Sequence, residues 1–202
     1  MSDFTEPVTF DTLAMVRSDH ECFGCGDDNP IGLHLRFAAD GDSVKASFIP
    51  GAEHQGFGGI VHGGIISTVL DEAMAWATAH AGFWAMTGDM RVRFRRPLKI
   101  GEPTVVTARV SGTRGRLVTT AGELVLESDR SPVATATATF VKADSELASD
   151  WRVRYLRESA TNTAEFGAVS SEAAIARVER DSVNLSGKDA PAPEQNLRGI
   201  RL

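Results

Sequence analysis

Residues 59–72 read GIVHGGIISTVLDE and hold more structural information than any other stretch of this chain. A glycine-rich turn leads there into an apolar run, which continues to about Ala81. Apolar residues cover nearly every face of a helix drawn from Ile65 to Ala81, which is typical of a helix buried on most of its sides. We therefore predict one central helix, with Gly63 and Gly64 just before it and their backbone N–H groups unobstructed.

Strand-like segments lie on both sides of this helix. Upstream, two predicted strands, residues 33–38 and 43–49, flank Asp40-Gly41, a dipeptide that favours a tight hairpin turn. Downstream, alternation from Met90 predicts a strand that ends at Pro97. Three further β-rich runs cover residues 104–110, 117–126 and 133–141, with turn-like residues 112–115 and 129–132 between them. Two strands, a helix and four strands predict an α+β fold in which an antiparallel sheet wraps around one helix.

The chain divides into three parts. Its 202 residues suit one domain with tails, because domains commonly hold roughly 100 to 150 residues. We assign residues 1–20 to an N-terminal segment, 21–143 to the domain and 144–202 to an extended C-terminal tail. The composition of this tail shifts towards Ser, Ala, Glu, Arg and Asn, so we expect it to be partly helical or disordered.

Within the tail, Trp151 and Tyr155 fit a helical stripe together with Leu147. They fit strand alternation with Val153 equally well, so both interpretations stay open at this point. Further on, residues 170–180 suit a short amphipathic helix, and residues 190–194 read as a linker or a disordered end.

Composition excludes several classes of protein. The hydrophobic fraction of 42% and the charged fraction of 24% are ordinary for a soluble globular protein. No run approaches the roughly 20 apolar residues that cross a bilayer, and the N-terminus lacks the basic start and apolar run of a secretory signal. We therefore expect a cytoplasmic protein without a membrane partner. The net charge of −6 disfavours nucleic acid as a partner, because it repels polyanions.

Basic residues are nevertheless concentrated in the strand after the helix. The cluster consists of Arg91, Arg93, Arg95, Arg96 and Lys99. Such a patch on an acidic protein favours a small anionic ligand over a long polyanion. From the charge pattern alone, a solvated strand face is an equally good interpretation.

Two carboxylates, Asp71 and Glu72, interrupt the apolar helix. A buried carboxylate is costly unless it is paired or used, because desolvation penalises its charged form. The N–H groups at the helix start form a donor site for an anion, including the oxyanion that develops when an acyl carbonyl is attacked. A carboxylate facing the same cleft could activate water or attack directly, so the two features together suit acyl transfer. In the alternative interpretation, both carboxylates emerge at an exposed helix edge and His62 only packs against the turn.

Together these features resemble the hotdog-fold thioesterase superfamily, in particular its phenylacetyl-CoA thioesterase type. In that family a His-Gly-Gly turn opens the central helix, and an acidic residue follows at the spacing that separates His62 from Asp71. Residues 87–97, TGDMRVRFRRP, resemble the family's strand after the helix. Further matching stretches are EHQGF at residues 53–57, CFGCG at 22–26 and NPIGL at 29–33. The resemblance covers most of the predicted domain.

The resemblance implies roles for the helix carboxylates and for one residue of the following strand. Asp71 would be the general base or nucleophile. Glu72 is the second choice, because adjacent helical residues point about 100° apart and only one of the two should face the cleft. Thr87 would position water beside Asp71.

It also implies roles for the turn. The Gly63 N–H would be an oxyanion donor, and Gly64 would bind substrate beside it. His62 would orient the turn or the substrate carbonyl.

An acyl-coenzyme A substrate follows from the same resemblance, so coenzyme A belongs to the substrate and we expect no separate cofactor. Its phosphates are predicted to bind a basic site formed by Arg91, Arg93, Arg95, Arg96, Arg114 and Arg116. We expect the chain to form a homodimer or a dimer of dimers, because open sheet edges often pair across subunits.

Cys22 and Cys25 form a Cys-x-x-Cys pair, with His20 and His34 nearby. These four residues could in principle hold zinc, and the cysteines could alternatively form a redox pair. Against both, the chain has no second Cys pair, the histidines are irregularly spaced and the resembled family needs no metal. We therefore expect reduced structural cysteines in a tight turn and no metal site.

Three functions compete at this stage. The leading one is hydrolysis of an acyl-CoA to free acid and coenzyme A, by water that Asp71 activates or that follows an Asp71 anhydride. The alternative is a non-catalytic hotdog module that binds acyl-CoA or a protein partner, since one fold hosts several functions. A hydratase acting on enoyl-CoA is the third, and the spacing of His62 and Asp71 disfavours it.

Overall fold

The computed structural model describes residues 17–155. The predictions for the first residues, for a helix at 170–180 and for a linker at 190–194 lie outside the described residues. Within 17–155 the chain forms, in order, β1 (Ala38–Asp40), β2 (Ser43–Phe48), a 3-10 turn (Ala52–His54), α1 (Gly63–His80), β3 (Ala85–Phe94), β4 (Thr104–Arg114), β5 (Leu117–Leu126), β6 (Pro132–Lys142) and α2 (Ser145–Tyr155).

The six strands form one antiparallel sheet in the order β1-β2-β4-β5-β6-β3. β1 and β2 form the predicted hairpin, in which Asp40 lies opposite Ser43 and Gly41 has a φ of +60°. β4, β5 and β6 form the predicted meander. β3, which follows α1 in the chain, pairs with β6 and lies at one edge of the sheet.

Helix α1 packs on one face of this sheet, as its apolar pattern predicts. Its buried residues include Val69, Leu70 and Met74, none of which is accessible to solvent. Gly122 of β5 lets the helix approach, because a Cβ there would lie 3.2 Å from Met74 Cγ. Burying each large apolar side chain stabilises the fold by ~1.5–3 kcal/mol. The helix and the curved sheet therefore form one shared core, and the predicted hotdog arrangement is confirmed.

The predicted strand at residues 33–38 is wrong, since only Ala38 of that range pairs with β2. The residues before Ala38 run beside the loop that contains Cys22 and Cys25, which we call the cysteine loop. The Leu33 N–H donates to the Phe23 carbonyl at 2.7 Å, and the Leu35 N–H donates to the Gly24 carbonyl at 2.9 Å. An apolar extended segment that satisfies its backbone on a loop has the same sequence pattern as a strand, which explains the error.

The predicted turn at residues 112–115 is also misplaced. β4 continues to Arg114, which lies opposite Leu117, and Gly115 takes a φ of +58° in the turn between them. The register shifts between Val110 and Gly112. Gly112 therefore marks an irregularity inside a strand, a position that glycine often takes, and not the turn.

The C-terminal tail begins with α2, so the helical stripe is correct and the strand alternation is not. Trp151 and Tyr155 lie one turn apart, and their ring centroids are 6.4 and 6.3 Å from that of Trp84. No helix within residues 17–155 has the length and apolar character needed to cross a membrane.

Candidate active site

Asp71 lies on α1 beside the edge strand β3. The Thr87 hydroxyl of β3 donates a hydrogen bond to Asp71 Oδ1 at 2.7 Å. The register of β3 shifts between Thr87 and Asp89, and such bulges often redirect a side chain next to a functional site. Asp71 Oδ2 has no hydrogen-bond partner among the described residues. The carboxylate and the hydroxyl that the sequence analysis paired are thus in contact, with one carboxylate oxygen unpaired.

The start of α1 differs from the prediction. Gly63 and Gly64 are the first two residues of the helix, and His62 is its N-cap. His62 Nδ1 accepts the Gly64 N–H at 2.9 Å, so the turn itself pairs this N–H, and the predicted contact of Gly64 with substrate stays a prediction. The Gly63 N–H has no acceptor within residues 17–155. Gly63 therefore remains the candidate anion donor at the helix N-terminus.

Asp71 and the Gly63 N–H do not share a cleft within one chain, contrary to expectation. Gly63 and Asp71 belong to the same helix, eight residues apart. At 1.5 Å per residue their backbones are about 12 Å apart along the helix axis. A reacting carbonyl must lie ~3 Å from both its attacking group and its oxyanion donor. The two groups therefore act on one thioester only if a second copy supplies one of them.

Glu72 faces in a different direction from Asp71. One of its carboxylate oxygens accepts the indole N–H of Trp76 at 3.0 Å. Cys22 Sγ lies 3.7 Å from both carboxylate oxygens, and Cys25 Sγ completes a cluster in which the ligand atoms lie within 4.8 Å of one another. The second-choice catalytic carboxylate is therefore separated from Thr87 and enclosed by sulfur atoms.

This cluster carries strongly altered acidities. Burial raises the pKa of Glu72 to about 7, and the charge of Cys22 adds to the rise. The pKa of the Cys22 thiol falls to about 5, because the Cys25 thiol and the backbone N–H groups of Cys25 and Gly24 donate to its sulfur. Donation to Cys22 and burial raise the pKa of Cys25. Cys22 is therefore the thiolate of the pair, and Cys25 keeps its proton.

A cavity of about 140 Å³ opens beside the cluster. Its lining is mostly apolar and comes from α1, from the start of β3 and from α2, and Cys22, Cys25 and Glu72 are among its polar residues. Trp84, Trp151 and Tyr155 form its aromatic side, and the His20 ring meets the Tyr155 ring edge-on at 4.9 Å. The N-terminal loop and α2 thus close over the same end of the central helix.

The predicted phosphate site is divided. Arg95 lies beside Val133, at one end of β6, whereas Arg116 donates to the Lys142 carbonyl at the other end. At ~3.3 Å per residue these ends are about 30 Å apart, so one chain does not bring Arg116 to Arg95, and Arg91, opposite Thr137, lies between the two ends. Within β3 and its end, Arg96 bonds to Ser131 Oγ at 2.7 Å. The guanidinium groups of three exposed arginines have no hydrogen-bond or ion-pair partner within residues 17–155, namely those of Arg91, Arg93 and Arg95.

The sequence analysis missed the contact between Glu72 and the cysteines. Two signals were present in the sequence. Glu72 and Trp76 have the i, i+4 spacing that puts two side chains on one helix face, and Gly24 lies between the cysteines. Neither signal shows that the loop folds onto this helix, because the contact joins residues about 50 positions apart.

Comparison with known proteins identifies the family that this chain resembles. The thioesterase superfamily model matches residues 58–133. Among curated proteins, the chain is similar to acyl-coenzyme A thioesterase THEM4 of Bos taurus, with 25% identity over 134 residues that cover 65% of this chain and 55% of the relative. The chain spans about half the length of the curated relatives it matches.

Solved structures share the fold. A crystal structure of a thioesterase superfamily protein matches with a TM-score of 0.58 and 27% identity, over 60% of each chain. The PaaI protein of E. coli, from the phenylacetic acid degradation operon, matches with a TM-score of 0.51 and 20% identity, over 55% of this chain and 80% of that one. The hotdog fold and the resemblance to the thioesterase superfamily are both confirmed.

Proposed function

We propose that this chain is an acyl-CoA thioesterase, which hydrolyses an acyl-CoA to a free acid and coenzyme A. The match to the thioesterase superfamily and the similarity to a protein named acyl-coenzyme A thioesterase support hydrolysis of a thioester. The observation that carries the proposal is the contact between Thr87 and Asp71 on the central helix of a hotdog fold.

Asp71 is the proposed general base or nucleophile. As a base, its unpaired oxygen takes a proton from water while the water oxygen attacks the acyl carbon, the carbon–sulfur bond breaks and the thiolate of coenzyme A is protonated. As a nucleophile, the same oxygen attacks the acyl carbon and releases the thiolate, and water then hydrolyses the anhydride. In both routes the Thr87 hydroxyl fixes the orientation of the carboxylate. Glu72 takes no part.

A homodimer completes the proposed site. The distance along α1 prevents Asp71 and the Gly63 N–H of one chain from meeting at one carbonyl. β3 is an edge strand with two exposed apolar side chains, Met86 and Phe94, which are 50% and 53% exposed. A second copy paired along this edge, with its α1 antiparallel to the first, would bring its Gly63 N–H to Asp71. The oxyanion donor and His62, which caps that helix start, then come from the second copy.

The coenzyme A phosphates are proposed to bind the unpaired arginines of β3. Arg91 and Arg93 lie on the same side of the strand, and Arg95 follows at its end, so the three form a line of positive charge. Arg114 and Arg116 belong to this site only if another copy supplies them. Reversing the charge at Arg95 with Arg95→Glu should raise KM for acyl-CoA about fivefold or more and leave kcat within a factor of two. An unchanged KM would reject this site.

The test of the activity is release of free thiol from short, long and aromatic acyl-CoAs by the full chain. Native protein should turn over at least one class of substrate. Asp71→Asn should lower kcat about 10³-fold, a loss within the range for removal of a catalytic base, and Glu123→Gln, on the exposed part of β5, should not change it. Tight acyl-CoA binding with no turnover by the native chain would replace the proposal with the non-catalytic module.

Subunit mixing tests the shared site. Asp71→Asn and Gly63→Pro should each keep about 1% of native turnover or less when alone, because each removes one half of every site. Co-expressed in equal amounts, they should regain about a quarter of native turnover, since half of the dimers are mixed and each mixed dimer has one intact site. No recovery in isolated mixed dimers would show that both groups act from one chain.

A further inference from the structure

The cysteine loop contacts α1 at Glu72, on a different face of the helix from Asp71. We propose that Cys22, Cys25 and Glu72 bind one zinc ion, which joins this loop to the central helix. The prediction of no metal rests on the cysteine and histidine spacing and on the family resemblance, neither of which includes Glu72 as a ligand. The inference does not rest on the proposed function, because none of these residues takes part in hydrolysis.

Geometry is the first support. Zinc prefers tetrahedral sites of thiolate, imidazole and carboxylate ligands, at ~2.3 Å for sulfur and ~2.0–2.2 Å for oxygen. Such bonds put neighbouring ligand atoms about 3.5–3.8 Å apart. Cys22 Sγ lies 3.7 Å from each Glu72 oxygen, and the three ligand atoms lie within 4.8 Å of one another. Only small side-chain movements separate this arrangement from a coordination shell.

The loop is built to bring these groups together. Gly26 follows the pair, and its N–H donates to the Cys22 carbonyl at 2.9 Å, which closes the Cys-x-x-Cys turn. Gly24 has no side chain at the point where Glu72 approaches, and a Cβ there would overlap the Glu72 carboxylate. The loop therefore leaves room for the Glu72 carboxylate between its two cysteines.

Charge is the third support. Cys25 is buried, Cys22 and Glu72 are partly buried, and each of the three is an anion when it binds a metal. Neighbouring anions in a buried site are costly unless a cation joins them. Two thiolates and one carboxylate favour zinc over magnesium or calcium, because magnesium and calcium both prefer oxygen ligands.

The histidines considered as ligands do not belong to this set. His34 Nδ1 lies 2.9 Å from the Gly26 carbonyl, and His20 Nδ1 accepts the Cys22 N–H at 3.3 Å. All three proposed ligands line the cavity of about 140 Å³. The fourth position of the ion is therefore supplied from the cavity, by water or a small ligand. An open fourth position is what distinguishes exchangeable zinc sites from closed structural ones.

The test is the metal content of the full chain, purified without a metal-binding tag. Native protein and Asp71→Asn should both contain about one zinc per chain, although Asp71→Asn loses turnover. Cys22→Ser should contain less than about one-tenth of that amount, since a thiolate ligand is removed. Asp71→Asn thus separates this site from the proposed activity, because failure of one leaves the other unaffected.

Cobalt titration of the metal-free native chain is a second test. Its spectrum reports the ligands of the ion without the need for a variant. Cobalt bound by two thiolates should give a sulfur-to-metal absorption in the near ultraviolet and the strong visible bands of a tetrahedral ion. Glu72→Gln should weaken cobalt binding at least tenfold, whereas Glu53→Gln, on the exposed 3-10 turn, should leave it unchanged.

Three results would overturn the proposal. The first is a native chain that gives no sulfur-to-cobalt band. The second is a cobalt affinity that Glu72→Gln does not change. The third is a native chain that binds no metal and loses both thiols to an internal disulfide in air, which would make the cysteines a redox pair.

Discussion

Asp71 and Glu72 are neighbours in the chain and occupy two unlike regions of the molecule. Asp71 lies beside the edge strand, accepts one hydroxyl hydrogen bond and keeps one oxygen unpaired. Glu72 lies against the cysteine loop, accepts an indole N–H and has a pKa raised to about 7, mainly by burial. A rotation of about 100° along the helix separates a carboxylate beside Thr87 from one beside two cysteine sulfurs.

The difference shows that the charge of a residue does not fix its role. In sequence both residues are acids in an apolar helix, and either could be the base of a hydrolase. The neighbours that each side chain meets decide between them: a threonine on one side, two cysteines and a tryptophan on the other. Four predictions test this separation.

The largest effect should be the difference in turnover between Asp71→Asn and Glu72→Gln, each of which replaces a carboxylate with an amide. Asp71→Asn should lower kcat about 10³-fold, because the amide cannot take the proton that the carboxylate takes. Glu72→Gln should keep kcat within about threefold of native, since its carboxylate faces the cysteines. Steady-state thiol release with both proteins at equal concentration measures this contrast. Equal losses would show that the two faces of α1 work as one site.

The second largest effect on turnover should come from removal of the Gly63 N–H at the start of α1. Gly63→Pro deletes the N–H, and proline is favoured at the first position of a helix after an extended residue such as His62, whose ψ is 134°. It should lower kcat about 10²-fold, as loss of one oxyanion donor does. Gly63→Ala keeps the N–H, and its Cβ would make an ordinary 3.4 Å contact with Phe94. If both variants lose the same activity, the Gly63 N–H is not an oxyanion donor.

Glu72 should also make stability depend on pH in the reduced, metal-free chain. Its pKa is about 7 in the fold and near 4.5 when unfolded, so the folded chain binds the extra proton. The contribution of Glu72 to the free energy of unfolding should therefore fall as pH rises from about 4.5 to 7, by at most about 3 kcal/mol. The lowered pKa of Cys22 adds a contribution of opposite sign, which grows as pH rises above about 5. Urea unfolding at pH 5 and pH 7.5 measures the net change, and a variant of Glu72 isolates its part.

The matched variant for this prediction is Glu72→Gln, whose amide does not titrate and therefore removes the falling contribution. Its free energy of unfolding, compared with that of the native chain, should be higher at pH 7.5 than at pH 5. Glu53→Gln should behave like the native chain, since Glu53 is exposed. The same change with pH in Glu72→Gln and in the native chain would assign the pH dependence to other groups.

The smallest effect should come from Thr87. Thr87→Val removes the hydroxyl that holds Asp71 Oδ1 and should lower kcat about tenfold, as expected for one hydrogen bond to a charged group. KM should stay within a factor of two, because Thr87 positions the carboxylate and not the coenzyme A. Thr87→Ser restores a hydroxyl and should recover most of kcat. A valine variant with native kcat would make the contact structural only.

The sequence predicted the central helix well because an apolar run with Ala and Leu on all faces has few alternatives. It predicted the pairing of Asp71 with Thr87 through a family resemblance. It misplaced Gly63 and Gly64, because the N-cap role of His62 depends on a side-chain hydrogen bond that no periodicity reveals.

Two further errors arise from long-range placement. Arg95 and Arg116 looked like parts of one patch, and strand register puts them at opposite ends of β6. Cys22 and Glu72 looked unrelated, and the loop puts them in contact. Local patterns carry no information on where a loop or a register brings distant residues.

The contact between Gly24 and Glu72 should restrict which residues can occupy the two positions in related sequences. The missing side chain of Gly24 is the space that the Glu72 carboxylate occupies, so a larger residue at position 24 requires a shorter one at position 72. In related sequences the two positions should therefore change together. Related sequences without an acid at position 72 should tolerate a side chain at position 24. The joint presence of Gly24 and Glu72 should mark the sequences in which the cysteine loop contacts the central helix in this way.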